Sequence, residues 1–572
     1  MSDALSLIKL KMSLQNKLID TYEILRHIPL QQLVRRSQLI LKRKLFRHPK
    51  NFAKSLEKAE QNLDISALPI TNLHPPHGYL KSVGDDWKAQ FLGTSSLMKN
   101  GIEWISPVRS VSDQLWRMNL HYFEYLPELE PDIAEAVISD WIEKCPPRNY
   151  ESLSTEWNSY SISLRLSAWL NYRSNHGQFG SSHFQVLFRN SIEYQANFLA
   201  SFLETDILGN HIIKNIRALY ECSYCLISDS SHRWISIAEK LLKEELGKQI
   251  LSDGYHFERS PSYHNQVLVD LIQIHSVMPN DKFRIRVGQE IVKMTQGMID
   301  TCHPDGYPAQ FNDSGLDMTQ SPVDYLEIFA NYFSQENVQP KSHIEFPDAG
   351  FFGFRSESEY FLIKTGKLGP DELMAHAHGD WGSFEWSIKG ERIIVDQGVY
   401  EYVPGQKRNL SKSTRSHNTV QVDGMEQASF VGAFRCSHRP KENKTSYRTD
   451  TEGFHLISTL QESSICPCTI TRVVEYQDQN SMKISDSISG NSRNICSSFL
   501  LHPEFEAKQI SRTKLEISRG NSIKVIAEVD ANCEIFLEPA VWWPNMGHER
   551  STSRARSHSF GTKHSIEFTR KI

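Results

Sequence analysis

The densest cluster of side chains that could do chemistry lies between residues 376 and 418. The chain reads His376-Ala377-His378-Gly379-Asp380 just ahead of an alternating segment, Val395-Asp396-Gln397-Gly398 at the end of another, and Arg415-Ser416-His417-Asn418 beyond a polar loop. In extended backbone, residues i and i+2 point to the same side, so His376 and His378 share a face. A histidine of that pair, Asp396 and His417, carried on three neighbouring strand ends, can close on one metal, and a nitrogen and oxygen set of this kind suits zinc. The same residues can also serve only to satisfy hydrogen bonds at the rim of a sheet.

Two junctions upstream are also rich in polar groups. Gly209-Asn210-His211 opens a helical stretch, and the segment Asp253 to Asn265, which contains Glu258-Arg259-Ser260-Pro261-Ser262-Tyr263-His264, opens another. Asn210 has the residue type of a helix N-cap, and Tyr263 that of an amphipathic interface residue. An amide, a phenol and a histidine facing one metal-braced rim would make a proton-transfer site.

The elements that must position these groups fall into two classes. From about 110 to 340 the apolar spacing is helical, as in PDIAEAVISDWIEKC, SISLRLSAWLNYR, NHIIKNIRALYECSYCL and FRIRVGQEIVKMTQGMI, with short polar loops between. Such a series stacks as antiparallel hairpins and curls into an open toroid. After 341 the period becomes two, in GFFGFRSESEYFLIKTG, GSFEWSIKGERIIVDQG, TITRVVEYQ and KLEISRGNSIKVIAEV, which predicts an antiparallel β-sandwich. The expected division is therefore 1–109 as a basic helical arm and connecting segment, 110–340 as an α/α toroid, and 341–572 as a β-sandwich. The class is multidomain α + β. Residues 51–109 show few periodic stretches and read as a connector.

A chain of 572 residues is too long for one core, and 39% hydrophobic with 23% charged residues is a globular composition. Nine scattered cysteines imply no disulfide framework. Cys222 and Cys225 have metal-like spacing, but no second pair or nearby histidine completes a tetrahedral set. No apolar run is long enough to span a bilayer, and no secretory leader is legible at the start, which makes the cytoplasm the expected compartment, with the periplasm the alternative. Residues 1–50 hold eleven Lys/Arg against three acids, a net +8, so the remainder carries −13 toward the total of −5. This arm could lie on anionic lipid as a peripheral contact or pack as a solvated helix on its own domain. An otherwise acidic chain with none of the usual binding motifs excludes nucleic acid as a partner. The oligomeric state is not constrained by the sequence.

Asn210-His211, Tyr263 within ERSPSYH, Asn312-Asp313-Ser314, His376-Ala377-His378, Val395-Asp396-Gln397-Gly398 and Arg415-Ser416-His417-Asn418-Thr419-Val420 together resemble the successive motifs of heparinase II/III-like polysaccharide lyases. LWRMNLHYFEYL and EWNSYSISLRLSAWLNY are similar to segments preceding the family's toroid, so the match runs in order over about 110–430. The resemblance implies an incomplete α/α toroid followed by a β-sandwich, and cleavage of a uronic-acid-containing polysaccharide by β-elimination. It makes Asn210 the group that neutralises the uronate carboxylate, Tyr263 the catalytic tyrosine and His376 the catalytic histidine, with the tyrosine serving both proton steps or the histidine acting as base according to the uronate epimer, and His378, Asp396 and His417 the ligands of a structural zinc. His211, Arg165, Arg259 and His264 are expected to contact the acidic polysaccharide, with Lys214 and Arg217 further candidates. The chain more closely resembles the heparinase-like proteins of bacterial surface-polysaccharide loci than the family's secreted members.

Two other functions are compatible with parts of this pattern. A non-catalytic glycan-binding accessory protein of surface-polysaccharide assembly would use the basic arm. A toroidal hydrolase would use two carboxylates among Glu156, Asp253, Glu258 and Asp313, and would leave residues 376–420 without a role.

Overall fold

The structure, a computed structural model, describes residues 17–46, 52–57, 64–71, 78–105, 111–319, 321–334, 336–441, 443–449, 453–477, 481–491, 494–520 and 523–571. Parts of the basic arm, residues 1–16 and 47–50, lie outside them. The chain divides into two compact units. One comprises Leu30–Gln249 and Asn265–Val292. The other comprises Ile250–His264, everything from Lys293 on, and the described residues up to Pro29.

The first unit is the incomplete α/α toroid. Helices Val111–Tyr122, Ser159–His176 and Asn210–Cys225 pack on one another in turn, as do Pro131–Lys144, Ser182–Ser201 and Ser231–Gln249. The burial pattern explains the two layers. Asn210–Cys225 and Ser159–His176 are buried on nearly every side. Ser231–Gln249 buries one stripe, Trp234, Ala238, Leu242, Glu245, Leu246 and Gln249, spaced for a single helical face. Local signals set the helix starts: Asn158 accepts from Tyr160 N, Ser181 accepts from Phe184 N, and Pro131 occupies the first turn.

The segment read as a connector contains more than the sequence suggested. Tyr79–Val83, Asp86–Phe91 and Thr94–Met98 form a three-stranded antiparallel meander. Its second turn places Leu92 (φ 51°) and Gly93 (φ 73°) in left-handed backbone, as a two-residue hairpin turn requires. Phe91 packs edge-on to Trp116, with ring centroids 5.2 Å apart, and so fixes the meander to helix Val111–Tyr122. Short strands with half-exposed faces leave too little alternation to be read from sequence. Helix Leu30–Lys44 of the basic arm has no buried residue; Gln32 donates to Asp206 O at 2.9 Å, and the Lys42 ammonium lies 4.8 Å over the Phe202 ring.

The second unit is a sandwich of two antiparallel sheets. One has eight strands, between edge strands Asn443–Thr449 and Glu506–Ser511. The other has nine, among them His343–Phe346, Phe351–Arg355, Glu359–Lys364, Phe384–Ile388, Glu391–Val395, Val420–Val422, Asn494–Leu501 and Arg550–Phe560. Phe354, Phe361 and Trp386 of the nine-stranded sheet share a core with Phe454, Val474 and Phe568 of the eight-stranded one. Strands Glu359–Lys364 and Phe384–Ile388 are buried on both faces. The reason is a second cluster behind them, in which Tyr255, Ala309 and Phe311 pack on Phe351, Tyr360 and Leu362. Residues 250–264 and 300–319 thus lie on the back of this sheet, bringing Tyr263 and Asp313 into the same unit as His376.

Candidate active site

Asp313 is the centre of the cluster. Wholly buried, it accepts from His376 Nδ1 at 2.9 Å, from His378 Nε2 at 2.8 Å and from both terminal nitrogens of Arg408, one at 2.8 Å. Burial alone would raise its carboxyl, but the Arg408 charge and the histidine bonds hold it well below the usual range. It is therefore a fixed anion that orients two imidazoles. The backbone around it is clipped in place. Asn312 (φ 56°) and Arg259 (φ 53°), both left-handed, are joined by a 2.9 Å bond from Asn312 Nδ2 to Arg259 O. Ser260 Oγ donates to Asp313 O at 2.8 Å, and Lys364 Nζ, fully buried, bridges Asp380 Oδ1 and Asn312 Oδ1 at 2.5 Å each. Left-handed non-glycine residues carry a conformational cost that surrounding contacts must offset, and such residues gather at functional sites.

Tyr263, in the first turn of helix Pro261–Val277, stacks on His376 with ring centroids 3.8 Å apart. Its hydroxyl lies 2.9 Å from that of Tyr402. Burial, then the neighbouring Tyr402 and the Asp313 charge, raise this phenol well above its ordinary pKa, so it stays protonated across the working range. His376 retains 11% side-chain exposure, with Nδ1 held by Asp313 and Nε2 3.3 Å from Glu258 Oε2. The arrangement is a protonated phenol against an imidazole whose orientation is fixed by a carboxylate, which suits proton transfer at a substrate carbon and oxygen.

His378, Asp396 and His417 lie beside this pair. His417 Nδ1 is 2.9 Å from Asp396 Oδ2, and the His417 and His378 ring centroids are 5.3 Å apart. His378 Nδ1 and His417 Nε2 are both buried without a hydrogen-bond partner. Burial pushes His378 down to about 3, so its free nitrogen carries a lone pair. Burial lowers His417 as well, but Asp396 outweighs it and raises the group. Among the described residues no three His, Cys, Asp or Glu side chains stand in metal-holding geometry, and Asp396 is engaged by His417 Nδ1, Ser383 Oγ and Gly398 N. Gly398 (φ 77°) makes the turn after Asp396, where a Cβ would meet Trp543 O at 2.3 Å.

In the helical unit, Asn210 is the first residue of its helix and is buried, with Gly209 (φ 61°) as the cap in place of the asparagine. His211 keeps a third of its side-chain surface, with Nδ1 3.2 Å from Glu204 Oε1. Arg165 is wholly buried over the Trp141 ring at 4.0 Å and donates to Gln195, His121 O and Glu156 O. The expected sugar contact is thus replaced by a bracing role for Arg165. The same correction applies to His264 in the other unit, buried between His256 N and Met294 O and held neutral, at about 4, by burial. Arg259 is also buried, donating to Phe257 O and Asp348 O. Cys222 and Cys225 are buried free thiols.

The chain matches the heparinase II/III N-terminus over residues 42–339 and the heparinase II/III-like C-terminal region over 338–569. It belongs to the heparinase II/III family. Among curated relatives, a heparin-sulfate lyase of Pedobacter heparinus is 29% identical over 268 residues, 42% of this chain and 40% of that protein. A heparin-sulfate lyase of Bacteroides thetaiotaomicron is 22% identical over 396 residues, 56% and 53% respectively. The chain thus spans about half or less of these relatives' length. Its fold is that of the heparinase III crystal structure, with a TM-score of 0.67 at 17% identity over 82% of this chain and 79% of that one. A mutant heparan sulfate lyase from Pedobacter heparinus superposes with a TM-score of 0.63 at 17% identity, covering 93% and 87%. No described helix is long and apolar enough to cross a membrane.

Four members of this cluster were given no part in the lyase reading of the sequence. Asp313 and Glu258 stood both in quoted motifs and among the available acids, and Arg408 and Tyr402 carried no signal. Arg408 lies 95 residues from the carboxylate it grips, and no local period relates such positions.

Proposed function

We propose that this heparinase II/III-family chain is a polysaccharide lyase that cleaves a 4-linked uronate in an acidic polysaccharide by β-elimination. The proton on carbon 5 passes to a base, a carbon 4–carbon 5 double bond forms, the bond from carbon 4 to the leaving oxygen breaks, and that oxygen takes a proton. The observation that carries the reading is the protonated Tyr263 phenol stacked on His376, whose ring is aligned by Asp313. A phenol held above its ordinary pKa is an acid for the leaving oxygen, and the imidazole is the group suited to accept the carbon proton near neutrality. Asn210 takes the motif's role of donor to the uronate carboxylate, where negative charge develops. His211, the more exposed neighbour, joins it in binding.

The residues also fit zinc in part. Asp313 and Asp396 each hold one nitrogen of His378 and His417, leaving the other nitrogen bare and buried, a carboxylate–histidine arrangement that prepares an imidazole to bind metal. Here Asp396 acts through His417 rather than as a third ligand. A zinc ion held by His378 and His417 would brace the loops that carry His376. Metal analysis of purified protein tests it: about one zinc per chain with a chelator-sensitive melting temperature supports the site, whereas metal-free protein of unchanged stability refutes it.

The activity is tested by the ultraviolet absorbance of the unsaturated product across uronate polymers, including bacterial surface polysaccharides. Absorbance growth with folded protein establishes elimination. New reducing ends without absorbance identify a hydrolase, and polymer binding without cleavage, unchanged by Tyr263→Phe, a non-catalytic accessory protein.

A further inference from the structure

Eight of the nine cysteines are buried, and Cys496 alone is partly exposed. It lies on strand Asn494–Leu501 directly opposite His558 of Arg550–Phe560, so the two side chains share a face of the sheet. The thiol Sγ is 3.7 Å from His558 Nε2, and an Arg556 terminal nitrogen approaches the same sulfur to 3.7 Å. Arg556 is itself held by Glu538 at 2.6 Å and by Arg415 O at 3.2 Å. Phe536 lies parallel to the imidazole, with centroids 5.4 Å apart. All these residues line one cavity of about 800 Å³, whose wall also includes Asp423 and Glu426. The elimination chemistry uses none of them.

The electrostatics set this thiol apart from the others. Burial would raise it, but the His558 bond and the Arg556 charge outweigh burial and hold Cys496 below its ordinary value, while the same contact raises His558. Burial pushes Cys302 up to about 12 and Cys436 to about 11. The thiolate is the nucleophile in sulfur chemistry, and an imidazolium beside it is the usual means of keeping it charged near neutrality.

We propose that Cys496 is a reactive thiol, paired with His558 and Arg556, that is covalently modified by a low-molecular-weight disulfide entering this cavity. The thiolate attacks one sulfur of the disulfide, and a Cys496 mixed disulfide forms as the reagent's own sulfur–sulfur bond breaks. The departing thiolate carries off the electron pair and takes the His558 proton, leaving a neutral imidazole and a free small thiol.

The test uses the full chain. Limiting iodoacetamide is applied across a pH series, and the labelled peptides are quantified by mass spectrometry. Cys496 should react first, with a midpoint below the ordinary thiol value of ~8.5, and His558→Gln should slow its labelling at neutral pH by roughly tenfold, the effect of a one-unit rise in thiol pKa. Oxidised glutathione should then add one mixed disulfide per chain, reversible by a dithiol and absent in Cys496→Ser. Faster labelling of any other cysteine, a wild-type midpoint at or above the ordinary value, or no mixed disulfide at Cys496 would overturn the proposal. The wild-type profile decides the matter if the His558 variant does not fold.

Discussion

Two buried carboxylates, one in each unit, are gripped by cations in nearly the same way and lead to different outcomes. In the helical unit Asp270 accepts from Lys214 at 3.1 Å and from Arg217 at 2.7 Å, with Arg217 also 3.9 Å from Glu221. None of these groups is more than 3% exposed. In the sandwich unit Asp313 is gripped by Arg408, but its other bonds go to histidines, and one of these, His376, stacks on a tyrosine and keeps surface open to a substrate. The Asp270 cluster joins its charges to one another, to the Gln273 amide and to the Ser167 hydroxyl, and ties neighbouring helices together. The Asp313 cluster ends in an imidazole and a phenol, residue types able to exchange protons. A buried ion pair therefore says little about function until the groups at its edge are examined.

Substitutions that strike one cluster at a time sharpen that contrast. The largest effect is expected at the reactive end. Tyr263→Phe should lower turnover on a cleaved uronate polymer by about 10²- to 10⁴-fold, the usual contribution of a positioned acid, with an unchanged melting curve. A variant retaining most of its turnover would remove Tyr263 from the chemistry.

Asp313→Asn should cost both activity and stability, because it leaves Arg408 buried without its counter-charge, at about 3–5 kcal/mol. The sign of its pH dependence follows from the depressed carboxyl. The folded-state pKa lies below the unfolded value of ~3.9, so the contribution is fully present above pH ~4 and is lost as pH falls toward the folded value. Chemical denaturation at a series of pH values should show the wild type losing stability below pH ~4 and the variant losing less over the same interval.

Asp270→Asn should destabilise the helical unit by a comparable amount, again about 3–5 kcal/mol, while the turnover of the folded fraction changes little. Loss of turnover without loss of stability would place this cluster in the site and erase the distinction drawn above. The smallest effect belongs to Tyr402→Phe, which removes one neutral hydrogen bond to Tyr263. Such a bond is worth about 0.5–1.5 kcal/mol, so turnover should fall by roughly tenfold or less.

The toroid and the sandwich were both legible because a buried helix face or strand face repeats along the chain with a fixed period. Ser231–Gln249 declares its single apolar stripe, and Thr469–Gln477 its alternation. Where the period fails, so does the reading. The meander over residues 79–98 has few buried positions, so its strands show little alternation. Arg165 illustrates the same limit for single residues, since a basic residue in a helix looks available to an anionic ligand until Trp141, Gln195 and two carbonyls are found around it.

By itself, the sequence determined the two architectures, the order of the motifs from Asn210 to His417, and the residue types that proton transfer requires. The tertiary structure alone decided that residues 250–264 and 300–319 lie on the back of the nine-stranded sheet, that Asp313 is the common partner of His376, His378 and Arg408, and that Tyr263 remains protonated. The physical reason is one of range. Periodicity arises from contacts a few residues apart, whereas a buried charge is stabilised by whichever partners the fold brings to it, and here those partners lie 63 and 95 residues away.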